Sequence, residues 1–161
     1  MNEREEAIKQ GLIQQFDFLE GKCNVTRARR IFADVPLEHM LDVMTYAKTE
    51  LGFGSLCTIT SLDSGDNYEM VYHLANGGIM LNLKVLAPKA NPVFPTVTGL
   101  YNGATMYELE AHNLLGLTVE GIPVGIKYPL PDDWPEGQYP LRKDWKKEMP
   151  AQSAEGSGQN G

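Results

Sequence analysis

Two runs of strictly alternating side chains, separated by a glycine-bearing turn, constrain this chain more than anything else in it. Tyr68, Met70, Tyr72 and Leu74 alternate with Glu69, Val71 and His73, and Ile79, Leu81, Leu83 and Val85 alternate with Met80, Asn82, Lys84 and Leu86. A period of two puts one row of each run on a single sheet face. Asn76-Gly77 between them tolerates the positive φ that a tight hairpin needs. A shorter β-branched run, Leu56 to Leu62, joins the first through Asp63-Ser64-Gly65-Asp66-Asn67, which is turn chemistry. These three segments predict an antiparallel meander with one apolar face to be covered.

Helices are available to cover it. Over residues 1–20, Ile8, Leu12, Ile13, Phe16 and Leu19 recur at helical spacing, and Gly21 ends the run. Pro36 opens a second helix with an apolar stripe of Leu37, Met40, Leu41, Met44, Ala47 and Leu51, stopped by Gly52. Between the two, Cys23 to Val35 reads as one edge strand, with Arg27, Arg29 and Arg30 discouraging stray pairing. Ala104 to Leu115 reads as a third helix capped by Gly116. The expected class is α+β, with helices packed on one face of a mostly antiparallel sheet, then a third helix and an extended proline-rich C-terminal strap.

The boundaries follow from proline. Pro88, Pro92 and Pro95 break regular structure, and Pro123, Pro129, Pro131, Pro135 and Pro140 punctuate a later stretch with no helix or strand period. Residues 1–116 are expected to form the α+β domain, 117–148 an extended docking segment, and 149–161, small and polar, a disordered tail. Tyr128, Trp134, Tyr139 and Trp145 lie in the extended segment. Each can bury roughly 150–250 Å², so they must pack on a partner or back on their own domain. Both arrangements fit the composition.

Charge and motifs narrow the function. A net charge of −7 disfavours nucleic acid, which needs a concentrated cationic face. No apolar run approaches a membrane span, and the charged start is unlike a signal peptide, so an intracellular protein without direct membrane insertion is expected. Cys23 and Cys57 form no Cys-x-x-Cys pair and read as buried thiols, not a disulfide. His39, His73 and His112 sit on different elements without metal-ligand spacing. Asp132, Asp133 and Glu136 are the one acidic cluster with an acid–base reading, but between prolines such residues more commonly build turns. Glu108 and His112, four apart, suit a structural contact on one helix. Gly52-Phe53-Gly54 lacks the strand–glycine–helix order of a phosphate loop. No catalytic, cofactor or metal site is expected.

Residues 92–145, read as one block, resemble the 30 kDa subunit family of respiratory complex I, the NADH dehydrogenase. Pro95-Thr96-Val97-Thr98 resembles the family's entry motif, and Tyr107-Glu108-Leu109-Glu110-Ala111-His112-Asn113-Leu114-Leu115-Gly116-Leu117 its helix. Leu130-Pro131-Asp132-Asp133-Trp134 and Tyr139-Pro140-Leu141-Arg142-Lys143-Asp144-Trp145 resemble its closing signature. The chain departs from the family at Leu109, Asn113, Leu115 and Ile122, and at Gly125-Ile126-Lys127, where the family carries arginine, aspartate, phenylalanine, histidine and an Arg-Arg pair. The short chain and Trp134-Pro135-Glu136-Gly137 look closer to the version in membrane-bound, energy-converting nickel–iron hydrogenases.

The resemblance implies an accessory subunit without cofactor. It would dock on a hydrogenase-like large subunit beside the iron–sulfur small subunit, peripherally, on the cytoplasmic side of the membrane. Tyr107, Glu108, Glu110, Trp134, Tyr139, Pro140, Leu141, Arg142, Lys143, Asp144 and Trp145 are the docking residues it implies, with Arg142 free to pair with a partner carboxylate. The alternatives are the 30 kDa-type subunit of an NADH:quinone-type oxidoreductase, a free-standing cytosolic enzyme using Asp132, Asp133 and Glu136, and a transient regulatory adaptor.

Overall fold

A computed structural model of the protein describes residues 2–147. Helix α1 spans Glu3–Gln15, and a short 3₁₀ turn, Asp17–Leu19, follows it. Strands β1 (Cys23–Arg27) and β2 (Arg30–Asp34) come next. A second 3₁₀ turn, Leu37–His39, then leads into α2, Met40–Thr49. Strands β3 (Ser55–Asp63), β4 (Asn67–Asn76) and β5 (Ile79–Pro88) form the meander. Strand β6 (Val93–Pro95), helix α3 (Ala104–Leu115) and β7 (Thr118–Glu120) complete the regular structure.

The α+β class is as the patterning dictates. The five-stranded sheet runs β1-β2-β5-β4-β3, antiparallel except where β2 lies parallel to β5. Tyr68, Met70, Tyr72 and Leu74 of β4 and Ile79, Leu81, Leu83 and Val85 of β5 are buried on one face. They meet Ile8 and Leu12 of α1 and Met40, Val43, Met44 and Ala47 of α2 in one core. The two turn residues of the β4–β5 hairpin are Gly77 and Gly78, both at positive φ (53° and 83°), with Asn76 paired to Ile79. That is the backbone a two-residue hairpin of the favoured hand requires.

Five details differ from the expectations. Of the two cysteines, Cys23 is buried but Cys57, on the edge strand β3, is exposed. Cys23 to Val35 is a hairpin of two strands, and its turn is not marked by sequence because Arg29 occupies the left-handed position (φ 61°) where glycine or asparagine is usual. Leu41 is exposed, and Val43 takes its place on the buried stripe of α2. Regular structure does stop at Pro88 and Pro95, but Val93–Pro95 between them forms β6, which pairs in parallel with β7. Regular structure therefore continues to Glu120, beyond the expected boundary at Gly116. The tail expected at 149–161 lies outside the described residues.

The opposite sheet face carries no helix among the described residues. A polar chain crosses it. The His73 ring takes Thr60 Oγ1 at 2.9 Å on Nε2 and donates through Nδ1 to Asn82 Oδ1 at 2.6 Å. Asn82 Nδ2 donates in turn to the Ile31 carbonyl at 2.9 Å. Asn82 is fully buried with both ends of its amide bonded, which offsets its desolvation.

Candidate docking surface

Helix α3 organises the last third of the chain. Its inward stripe is Ala104, Glu108, Ala111 and Leu115, all buried, so a carboxylate sits in an otherwise apolar row. Glu108 Oε1 accepts the Val97 N–H at 2.7 Å, and Oε2 accepts the Thr96 hydroxyl at 2.6 Å. Burial raises its pKa, and the two bonds oppose the rise. This side chain ties the Pro95-Thr96-Val97-Thr98 loop to the helix. It touches no surface, so the docking role assigned to Glu108 can act only through the loop it holds. His112 does not meet Glu108; its Nδ1 donates to the Leu117 carbonyl at 2.6 Å.

Gly116 ends α3 in the left-handed conformation (φ 74°). Here glycine is required twice over. A Cβ would also enter the Tyr139 ring at 2.7 Å and overlap the Arg142 guanidinium. Arg142 Nε donates to the Leu115 carbonyl at 2.6 Å, and the Leu141 N–H donates to the Leu114 carbonyl at 3.0 Å. Two carbonyls that the helix end leaves without partners are thereby satisfied by the closing signature. The Arg142 guanidinium lies over the Tyr139 ring, 4.3 Å from its centroid, and 5.6 Å from the centroid of Tyr68. Arg142 therefore binds its own domain first.

A second clasp holds the strap to the far end of the sheet. Asp63, at the close of β3, is buried. Its carboxylate pairs with Lys89 at 2.7 Å, accepts the Gly65 N–H at 3.0 Å, and accepts the Lys143 N–H at 3.0 Å, eighty residues away in sequence. The Lys89 hydrogen bond is the main reason its pKa falls to about 2; burial opposes the fall, and the two backbone bonds assist it. Between the clasps, Asn113 Nδ2 donates to the carbonyls of Ile126 and Tyr128 at 2.9 Å each. Lys127 Nζ donates to the carbonyls of Asp132 and Trp134 at 3.1 and 3.0 Å. Trp134 and Trp145 both donate to Gln138, with ring centroids 6.2 Å apart.

The other residues expected to dock fall into two groups. Tyr107 is half-buried and donates through its hydroxyl to the Cys57 carbonyl on the edge strand β3 at 3.0 Å. Glu110, Trp134, Tyr139, Pro140 and Trp145 are half-buried, whereas Leu141, Lys143 and Asp144 are exposed. Asp132, Asp133 and Glu136 all stand in solvent. No cluster of three metal-ligating side chains occurs among the described residues. Sequence reasoning missed Asp63, read as a turn residue, and Asn113, read only as a departure. The signal for Glu108 was available: a charge at the i+4 position of an apolar stripe.

A sequence model of the family described as "Respiratory-chain NADH dehydrogenase, 30 Kd subunit" matches residues 33–151. The chain belongs to this family. Among 30 kDa-subunit relatives, a subunit of the F(420)H(2) dehydrogenase of Methanosarcina mazei is 32% identical over 143 residues, covering 86% of this chain and 90% of that one. The beta subunit of the membrane-bound hydrogenase of Pyrococcus furiosus is 39% identical over 80 residues, 50% of this chain and 46% of that one. A chain in the structure of the membrane-bound sulfane sulfur reductase, an archaeal respiratory membrane complex, superimposes with a TM-score of 0.77 at 29% identity, over 88% of this chain and 85% of that one. The relatives are thus subunits of several multi-subunit oxidoreductases. No helix among the described residues is long and apolar enough to cross a membrane.

Proposed function

We propose that this chain is a non-catalytic accessory subunit of a membrane-bound, complex I-related oxidoreductase of the energy-converting hydrogenase type. It docks on the hydrogenase-like large subunit, beside the iron–sulfur small subunit, and stabilises the peripheral electron-transfer arm on the cytoplasmic side. Family membership supports a place in such a complex, and the hydrogenase and sulfane sulfur reductase relatives support the type.

The observation that carries the docking assignment is where apolar surface remains. Of nine large apolar side chains left exposed among the described residues, Met106, Val124, Ile126, Tyr128 and Leu141 lie on α3 and the strap. Exposed apolar patches of this kind mark protein contacts. The two clasps fix the strap's inner side to the domain, and in this reading Tyr107, Glu110, Trp134, Tyr139, Pro140, Leu141, Lys143, Asp144 and Trp145 meet the partner. A pre-ordered surface binds without the cost of ordering itself. NADH:quinone-type chemistry is the second reading, favoured by the description of the matched family.

The test is purification of the tagged full chain from its native membranes. A large and an iron–sulfur small subunit are expected at equal stoichiometry, and Leu141→Asp with Tyr128→Asp is expected to reduce both at least tenfold. A monomer that elutes alone would sink the proposal.

A further inference from the structure

Four of the chain's five arginines, Arg4, Arg27, Arg29 and Arg30, stand at one end of the sheet, in a protein of net charge −7. Arg27 and Arg30 are register partners across the β1–β2 turn. Arg29 forms the turn itself, and its carbonyl accepts the Met80 N–H at 2.9 Å. Arg4 reaches across from α1 to the Gly77 carbonyl at 3.2 Å, which brings the β4–β5 turn into the same corner.

Local rules are broken here twice. Like charges directly across a strand pair are unfavourable. Arginine occupies a left-handed position suited to glycine or asparagine. The ion pairs among the described residues are Lys9–Glu6, Lys84–Asp34 and Lys89–Asp63, and none uses an arginine. Glu3, Glu5 and Glu6 share the first turn of α1 with Arg4; Glu6 pairs with Lys9, and Glu5 is buried and accepts the Arg29 backbone N–H at 2.7 Å, so it fixes the turn through the main chain and leaves the guanidinium out of the bond. Edge protection does not require Arg30, because β2 is an internal strand. A sequence that keeps such conflicts has a use for them.

We propose that this corner is a second docking surface, for a carboxylate-rich segment of a neighbouring protein subunit. Arginine, unlike lysine, presents a planar fork that matches carboxylates in pairs. Phe32 is 40% exposed and lies two residues along β2 on the same face as Arg30, with Met80 beside Arg30 in register. Arginine beside an exposed phenylalanine and a half-buried methionine is the composition of a protein interface core. The exposed Phe32 beside the guanidinium groups favours a protein segment over a phosphate polyanion, which would use the charge alone.

This inference rests on the accessory-subunit reading, and its test separates the two. The full chain carrying Arg27→Lys and Arg30→Lys, which keeps the charge, is purified in its complex and treated with a carbodiimide, which joins lysine amines to carboxylates. Coupling of position 27 or 30 to an Asp or Glu of another subunit is expected. Arg27→Glu with Arg30→Glu is expected to lower the salt concentration at which the chain leaves the complex by at least twofold. Coupling confined to this chain, with unchanged salt release, would overturn the second surface while leaving the first standing. Binding of the free chain to phosphatidylglycerol vesicles, lost in the Glu double variant, would overturn it in favour of a lipid contact. Failure of the unaltered chain to co-purify with any subunit would overturn both.

Discussion

The sheet domain and the strap are held by opposite means. The domain is fixed by shape: Tyr72, Leu81, Leu83 and Met70 are wholly enclosed, and no single contact among them releases the rest. The strap is fixed at points. Two carbonyls at the end of α3, one asparagine amide and one aspartate carry it. A packed core spreads its stability over area, whereas a strap of this kind concentrates it in a few polar contacts worth about 1 kcal/mol each. The strap should therefore be able to fail without the domain, though not the domain without the strap, and a probe can tell the two events apart. Both tryptophans of the chain, Trp134 and Trp145, lie in the strap, so tryptophan emission reports on it alone.

The largest effect should come from the core. Leu83→Ala should cost about 2–5 kcal/mol, and thermal melts by circular dichroism and by tryptophan emission should fall together. A strap that stayed ordered over a melted domain would break the comparison. Next, Glu108→Ala should cost about 2 kcal/mol, since the Val97 N–H and the Thr96 hydroxyl lose their acceptor, whereas Glu108→Gln should restore most of it. The carboxyl's pKa is raised by burial, so its contribution is fully present below its unfolded value and is lost as pH rises through the folded one. Urea titrations on either side of that range should show Glu108→Gln gaining on the natural chain as pH rises.

Gly116→Ala sharpens the contrast. It should cost about 1 kcal/mol in the domain melt through the left-handed backbone, yet displace Tyr139 and Arg142 and shift tryptophan emission to the red. The smallest effect on the domain belongs to Asp63→Asn, which weakens the Lys89 pair and leaves the backbone acceptor in place. Asp63 has its pKa lowered chiefly by Lys89, so the clasp holds above the ordinary carboxylate range and is lost as pH falls from about 4 towards about 2. In the natural chain, tryptophan emission should move in that window ahead of the circular dichroism, and Asp63→Asn should abolish the early shift.

What could be read from residues divides along the same line. The meander and the helices announce themselves, because burying an apolar row imposes a period on the sequence. The β1–β2 hairpin does not, because its turn is Arg27-Ala28-Arg29-Arg30, with a buried glutamate from another element supplying what glycine usually does. The parallel β2–β5 and β6–β7 pairings are set by tertiary placement, and three-residue strands leave no period to detect. The resemblance singled out residues of the strap as expected docking positions, but it did not reveal how the strap is attached to its own domain. The Lys143 amide and the Leu114, Leu115, Ile126 and Tyr128 carbonyls are backbone groups, and any sequence has those. Arg142 was expected to face outward, and only the geometry of Gly116 shows why it turns in.

The strand order carries a consequence for synthesis. β5 is the middle of five strands yet the last of them to emerge from the ribosome, and it alone joins the β1–β2 hairpin to the β3–β4 pair. Until Pro88 is translated, the two halves share no strand ladder, and each is an open sheet edge in search of a neighbour. The growing chain is consequently open to mispairing from Cys23 until Pro88 has emerged, and the sheet closes only with its last strand.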